Sequence, residues 1–302
     1  MGYEGSLAII GRYPPAVVAR PSTKILSLIM GFSKRSVRHA PVIDSEYNVI
    51  GMVSARDIIN YLGGGSKNRI IKEKFSDNLW KAISEGTAEL IMSEKPIVAK
   101  ITDGLAKFVN LFLEHNVGAI PVVNTYNKLI GIVSERHITD ILAGHPTFVK
   151  VKEIMSSPVI TCKSECSLLD AMKLMVKHGI RRLVVEYPEN LGLVTIKDLI
   201  SYLASWETVE KIRSGKGEEV LNISVGKIAS KNIVAIGSHV DVSEALNLMR
   251  SYGIGSLLVM DYGKLVGIIT ERDIVRKLPK MVGVETYVDV IRQEISIGRV
   301  SY

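Results

Sequence analysis

A seven-residue phrase recurs four times in this chain: GMVSARD at 51–57, GIVSERH at 131–137, GLVTIKD at 192–198 and GIITERD at 267–273. Each copy runs glycine, two apolar residues, Ser or Thr, two spacers and a polar residue. Such a repeat constrains the fold more than composition does, because every copy must be built from the same local structure. An apolar run ending in Ser or Thr reads as a strand leading into a helix. The hydroxyl can accept from a free amide in the first helical turn, and an acidic residue three positions on completes a capping box.

The same order of elements precedes each phrase. In the third copy a short apolar stretch, 158–161, leads to an amphipathic segment over 167–178, with Leu168, Met172, Met175 and Val176 on one face and Gly179 as its stop. Strands are predicted over 183–185 and 191–194, then a helix over 195–203. The fourth copy predicts a helix over 241–252 and a tight hairpin between 257–260 and 265–269. The second copy predicts a helix over 103–115 and strands over 120–123 and 129–133. The first has apolar Ile25, Leu28 and Ile29, then strands over 40–43 and 49–53. Each unit is a β-α-β-β-α repeat of about 50 residues, too small to bury much surface alone, so repeats should pair.

The Ser/Thr positions 54, 134, 195 and 270 are unevenly spaced, and polar, Gly-rich inserts fill the longer intervals, 63–88 and 205–223. Two halves are therefore expected. Residues 1–148 would hold repeats at about 16–65 and 89–143, and residues 149–302 repeats at about 150–204 and 224–279.

With 47% apolar residues and 6% aromatic, Ile, Val and Leu carry the interior of the 302-residue chain. The net charge of +7 favours anionic partners, but the Lys and Arg are scattered and no block of like charge forms. Cys162 and Cys166 lack the further ligands a zinc site requires. No apolar run approaches the ~18 residues that span a bilayer, and the start MGYEGSLAII lacks the basic residues of a secretory signal. Gly2 and Ser6 match the short myristoylation pattern without a basic patch beside it. A cytoplasmic protein with no membrane partner is expected.

The phrase has two chemical readings. A capping box explains Ser54–Asp57, Thr195–Asp198 and Thr270–Asp273 without any ligand. The same geometry also suits a nucleoside phosphate. Helix-terminal amides and a hydroxyl favour a phosphate, the cation at Arg56, Lys197 or Arg272 adds to it, and an ionised Asp can accept from two ribose hydroxyls. The second copy keeps Ser134 and Arg136 but has His137, which cannot accept as a carboxylate does. A site there should be weak or empty, with His137 an ordinary exposed helix residue.

These endings, together with APVID at 40–44, IPVVN at 120–124 and EIMSSPV at 153–159, resemble the cystathionine β-synthase (CBS) domain over about 16–278. Val184 and Leu258 depart from the family's apolar-Pro-Val strand. The resemblance implies an α/β fold of the α+β type, with four repeats paired into two Bateman modules and a disc-like layout similar to the γ subunit of AMP-activated protein kinase. It implies clefts for AMP, ADP, ATP or S-adenosylmethionine, AMP being the expected ligand and no further cofactor required. Asp57, Asp198 and Asp273 would hold ribose, with Ser54, Thr195 and Thr270 beside the phosphate next to Arg56, Lys197 and Arg272. Base-pocket walls would come from Ala19, Arg38 and His39, from Thr161, Arg181 and Arg182, and from Ala235 and Ser256.

The leading expectation is a non-catalytic adenine-nucleotide sensor that regulates a separate protein, as a self-contained disc or a homodimer. The chain has no phosphate loop, no Rossmann fingerprint and no nucleophile elbow, which argues against an enzyme. Nucleic-acid binding is the alternative suggested by charge, but stacking aromatics are few and no DNA- or RNA-binding motif is present. The tail ETYVDVIRQEISIGRVSY reads as a strand or docking segment.

Overall fold

The computed structural model describes residues 10–296, so the Gly2/Ser6 pattern lies outside the described residues. Repeat one contains α1 (Ile25–Arg35), β1 (His39–Ile43), β2 (Val49–Ser54) and α2 (Ala55–Leu62). Its insert is helical: α3 (Arg69–Phe75), α4 (Leu79–Ser84) and α5 (Ala88–Ile91) lead to the short β3 (Ser93–Glu94). Repeat two contains β4 (Ala99–Lys100), α6 (Leu105–His115), β5 (Ala119–Val123), β6 (Leu129–Ser134) and α7 (Glu135–Leu142), with α8 (Val151–Ile154) following.

Repeat three contains β7 (Thr161–Lys163), α9 (Leu168–His178), β8 (Arg182–Glu186), β9 (Leu191–Thr195) and α10 (Ile196–Ala204). Its insert holds α11 (Trp206–Arg213) and α12 (Gly217–Leu221). Repeat four contains β10 (Ala235–Ile236), α13 (Val242–Tyr252), β11 (Ser256–Asp261), β12 (Lys264–Thr270) and α14 (Glu271–Val282). The chain then forms α15 (Val284–Ser296). The tail expected as a strand or docking segment is therefore a helix up to 296. Tyr287, Val288 and Ile291 bury the 3.6-residue stripe that a strand reading misses.

The four first helices bury the same pattern. Ile25, Leu28, Ile29 and Phe32 in α1 match Leu105, Phe108, Val109 and Phe112 in α6. Leu168, Ala171, Met172 and Met175 in α9 match Val242, Ala245, Leu246 and Met249 in α13. Each helix ends on a left-handed residue, Ser36, Asn116, Gly179 or Gly253. In every repeat the two later strands pair antiparallel. In repeats two to four the first strand lies parallel on the far side of the middle strand, and Ala19 makes the equivalent bridge to Val42 in repeat one. The turn between β11 and β12 has positive φ at both Tyr262 and Gly263, the twist a two-residue hairpin requires.

The chain folds as two compact units, and each takes one repeat from either side of residue 148. Among the described residues, one unit comprises 15–96 and 160–233, repeats one and three; the other comprises 10–14, 97–159 and 234–296, repeats two and four. Each has its own apolar core. In the first, α1 packs on α10 and α2 on α9. In the second, α14 packs on α7, and α15 covers α6 and α7.

The segment leading into each repeat is paired elsewhere before the chain goes on. Ser93 pairs with Met52 of repeat one, Ser156 with Ile268 of repeat four, and Ser230 with Leu193 of repeat three. Arg12 pairs with Ile132 of repeat two. These crossings explain the glycine of the phrase. A Cβ at Gly51 would meet the Met92 sulfur, at Gly267 the Met155 sulfur, and at Gly131 the Tyr13 ring. At Gly192 it would meet the Ser230 carbonyl at 2.9 Å.

Candidate functional site

Strand register places the expected walls beside the phrase. Ser54 lies opposite His39, Thr195 opposite Arg182 and Thr270 opposite Ser256. The amide after each hydroxyl residue donates to the carbonyl just before the opposite strand: Ala55 to Arg38 at 2.8 Å and Ile196 to Arg181 at 2.9 Å. Thr161 and Ala235 stand on the first strands opposite Val184 and Leu258, and Ala19 opposite Val42, so each lies one strand beyond the middle of its sheet. Ala19, Arg181 and Ser256 are buried, while Ala235 is exposed.

Three helices begin with the capping box expected from sequence. Asp57 Oδ2 accepts from the Ser54 amide at 2.8 Å, Asp198 Oδ2 from that of Thr195 at 2.7 Å, and Asp273 Oδ2 from that of Thr270 at 3.0 Å. The Ser54 and Thr270 hydroxyls also donate to the same carboxylate oxygen, both at 2.6 Å.

The outer carboxylate oxygens differ. Asp57 Oδ1 takes the Lys67 ammonium at 2.5 Å. Asp273 Oδ1 takes the Lys277 ammonium at 2.8 Å and the Ser156 hydroxyl at 2.7 Å. Among the described residues, neither Asp198 Oδ1 nor the proton of the Thr195 hydroxyl is engaged. Repeat three therefore presents an open acceptor and an open donor three residues apart in sequence. Lys67, Lys277 and Ser156 were not singled out from the sequence. A usable signal was present: Ile-Met-Ser recurs at 91–93 and 154–156, and Ile-Ala-Ser stands at 228–230.

The cations of the phrase anchor the repeats within each unit. Arg56 donates to the Gly179 carbonyl at 2.9 Å and Arg136 to the Gly253 carbonyl at 3.0 Å. Lys197 reaches the Ser36 hydroxyl at 3.4 Å. All three end at the left-handed cap of the other repeat's first helix, where unsatisfied carbonyls favour a positive charge. Arg272 instead bonds Glu135 at 3.1 Å, and Arg276 takes over the equivalent cap at Asn116.

His137 is half-buried rather than an ordinary exposed residue. Its Nδ1 accepts from the Ser134 amide at 3.1 Å, filling the carboxylate's place in the cap and leaving the proton on Nε2. Burial, then the Arg12 and Arg136 guanidinium groups, push it down to about 4. The second copy thus offers a neutral N–H donor where the others offer an acceptor.

Cys162 is buried and Cys166 half-buried, both as free thiols. Burial, reinforced by the neighbouring Cys166, pushes the Cys162 thiol up to about 12, so it is a poor nucleophile. Among the described residues no helix is long and apolar enough to cross a membrane.

Comparison with known proteins places these features in a family. The CBS domain profile matches residues 10–64, 88–144, 151–205 and 225–280. A 33.4 kDa protein of the ribosomal RNA operon of Thermofilum pendens is 37% identical over 294 residues, covering 97% of this chain and 98% of its own. Protein MJ1225 of Methanocaldococcus jannaschii is 30% identical over 264 residues, covering 86% and 94%. Its crystal structure, proposed as an archaeal homologue of g-AMPK, superposes with a TM-score of 0.82 at 28% identity, covering 89% of this chain and 98% of that one. A conserved protein from Pyrococcus horikoshii shares the fold, with a TM-score of 0.57 at 21% identity over 90% of this chain and 99% of that one. The chain belongs to the CBS-domain family and carries four copies of the domain.

Proposed function

We propose that the protein is a non-catalytic sensor of an adenosine ligand, AMP in the first instance, that regulates a separate protein chain. The observation that carries this reading is the pair in repeat three: an Asp198 oxygen and a Thr195 hydroxyl proton at the start of α10 that are unengaged among the described residues. Arg182 stands opposite that hydroxyl on the neighbouring strand. A carboxylate that already accepts a backbone amide at one oxygen is fixed in direction, so its other oxygen is oriented to receive ribose hydroxyls. Thr195 supplies a hydroxyl for the phosphate side, and Asp57 with Ser54 and Asp273 with Thr270 are weaker versions of the same arrangement. The base would lie toward the first strands, along Ala19, Thr161 and Ala235.

The likeness to MJ1225, a protein proposed as a g-AMPK homologue, supports the choice of an adenine nucleotide over other anions. A ligand that prefers one conformation of the clefts shifts the protein toward it, and a partner reads that shift.

The test is calorimetric titration of ligand-stripped protein with AMP, ADP, ATP and S-adenosylmethionine. Saturable binding that Asp198→Ala abolishes at one cleft supports the reading. Heat from S-adenosylmethionine alone moves the ligand class away from nucleotides. No heat from any of the four, with Asp198→Ala only about 1 kcal/mol less stable as for a lost cap, makes the phrase a helix start and nothing more.

A further inference from the structure

Lys67 and Lys277 come from unlike places and make the same contact. Lys67 lies ten residues beyond Asp57, in the insert after α2, whereas Lys277 lies one turn beyond Asp273 inside α14. Each ammonium holds the outer oxygen of its repeat's aspartate, and each also bonds carbonyls of an Ile-Met-Ser segment. Lys67 donates to the Ile91 carbonyl. Lys277 donates to the Ile154 carbonyl at 2.8 Å and the Met155 carbonyl at 3.2 Å. Those segments are the ones that pair with the last strand of the repeat, Ser93 against Met52 and Ser156 against Ile268.

Repeat three has the matching segment, with Ser230 against Leu193, but among the described residues no lysine holds its aspartate. The position one turn beyond Asp198 is Tyr202, and the position ten beyond is the buried Thr208.

We propose that Lys67 and Lys277 are latches that set the order of occupancy: the Asp198 cleft fills first, and the Asp57 and Asp273 clefts fill only when their lysines are displaced. The proposal rests on the adenosine reading given above. An oxygen that holds an ammonium at 2.5 or 2.8 Å cannot also accept two ribose hydroxyls, so the ligand and the lysine compete for one acceptor. A displaced lysine also leaves the carbonyls of its Ile-Met-Ser segment unsatisfied, which loosens that segment from the strand beside it. Ligand binding at the latched clefts is thereby coupled to the mobility of 91–93 and 154–156, whereas binding at Asp198 is not. By linkage, whatever holds those segments in place weakens ligand at Asp57 and Asp273.

The experiment is titration with AMP of the wild type, Lys67→Met, Lys277→Met and the same two changes in an Asp198→Ala background, where only the latched clefts remain. Each methionine should tighten binding at its own cleft by roughly three- to tenfold, the scale of a charge-assisted contact partly exposed to water. Amide hydrogen exchange at 91–93 and 154–156 in the wild type should rise when AMP saturates all clefts and stay unchanged when only the first is filled. This readout needs no variant.

Unchanged affinity in both methionine variants overturns the latch while leaving the adenosine reading intact. So does weaker binding, which would make the lysines ligand contacts, and so does exchange that does not respond to AMP. If the wild type and every variant fail to bind AMP, both proposals fall together.

Discussion

Arg272 donates to Glu135 at 3.1 Å, joining the first turn of α14 to the first turn of α7, and the Glu135 side chain has no exposure to solvent. Glu271 stands in the reciprocal place, 4.0 Å from Arg136 and nearly buried. Two repeats of one unit are thus held by crossed charges at the residue following the phrase's hydroxyl. In the other unit the same two positions are Ala55 and Ile196, both buried in its apolar core.

Truncating one member of the crossed pair should be costly because it leaves the other charge buried. Arg272→Ala should lower stability by about 3 kcal/mol. The double change Glu135→Ala with Arg272→Ala, which removes both charges together, should recover most of that loss. Denaturant unfolding of the single and double variants, read as a thermodynamic cycle, measures the coupling.

His137 gives the protein a pH dependence of defined sign. Its folded pKa, about 4, lies below the ordinary 6.5, so between those values the unfolded chain binds a proton that the folded chain does not. Stability should therefore fall on acidification through that window, by about 2 kcal/mol from pH 7 to pH 5 for this group. His137→Asn, which cannot titrate, should remove that share of the slope in thermal melts at a series of pH values.

The two most deeply buried tyrosines should respond oppositely to loss of the hydroxyl. Tyr61 donates to the Ala82 carbonyl at 3.1 Å, and Tyr61→Phe should cost about 1 kcal/mol. The Tyr287 hydroxyl is buried and, among the described residues, finds no partner. Tyr287→Phe should be neutral or stabilising, because the desolvation penalty disappears with the oxygen. Melting temperatures of the two variants side by side decide it.

The glycines of the phrase should not be equally sensitive. An alanine at Gly51 meets the Met92 sulfur, which can swing aside, so Gly51→Ala should cost under about 1 kcal/mol. At Gly192 the neighbours are the Tyr187 ring and the Ser230 backbone carbonyl, which cannot swing aside, and Gly192→Ala should cost about 2 kcal/mol. Chemical denaturation of both variants gives the comparison.

Much of the local structure was legible in the sequence because it is set by interactions over three or four residues. The helices ending at Gly179 and Gly253, the hairpin at 261–264 and the three Asp-based caps depend on backbone reach and side-chain spacing, and both are written in the chain. The helical inserts at 69–91 and 206–221 and the tail helix were less plain, since Gly-rich and polar stretches hide short helices whose apolar residues are few and are placed by the core they cover.

The sequence by itself determined the four repeats and the capping box, and it displayed the recurring glycine whose reason lies in the chain crossings of the fold. Only the tertiary structure decided which repeats share a compact unit, what the phrase's cations hold, and which aspartates are engaged. A hint lay in the residue after the hydroxyl, apolar at Ala55 and Ile196 and acidic at Glu135 and Glu271, but its meaning needs the pairing. The physical reason is that an ammonium reaches a carboxylate by distance in space: Lys67 and Lys277 sit at unrelated places in the sequence and arrive at equivalent places in the fold. Local hydrogen bonds fix what each repeat is, and long-range packing of charges and apolar faces fixes how its aspartate is engaged.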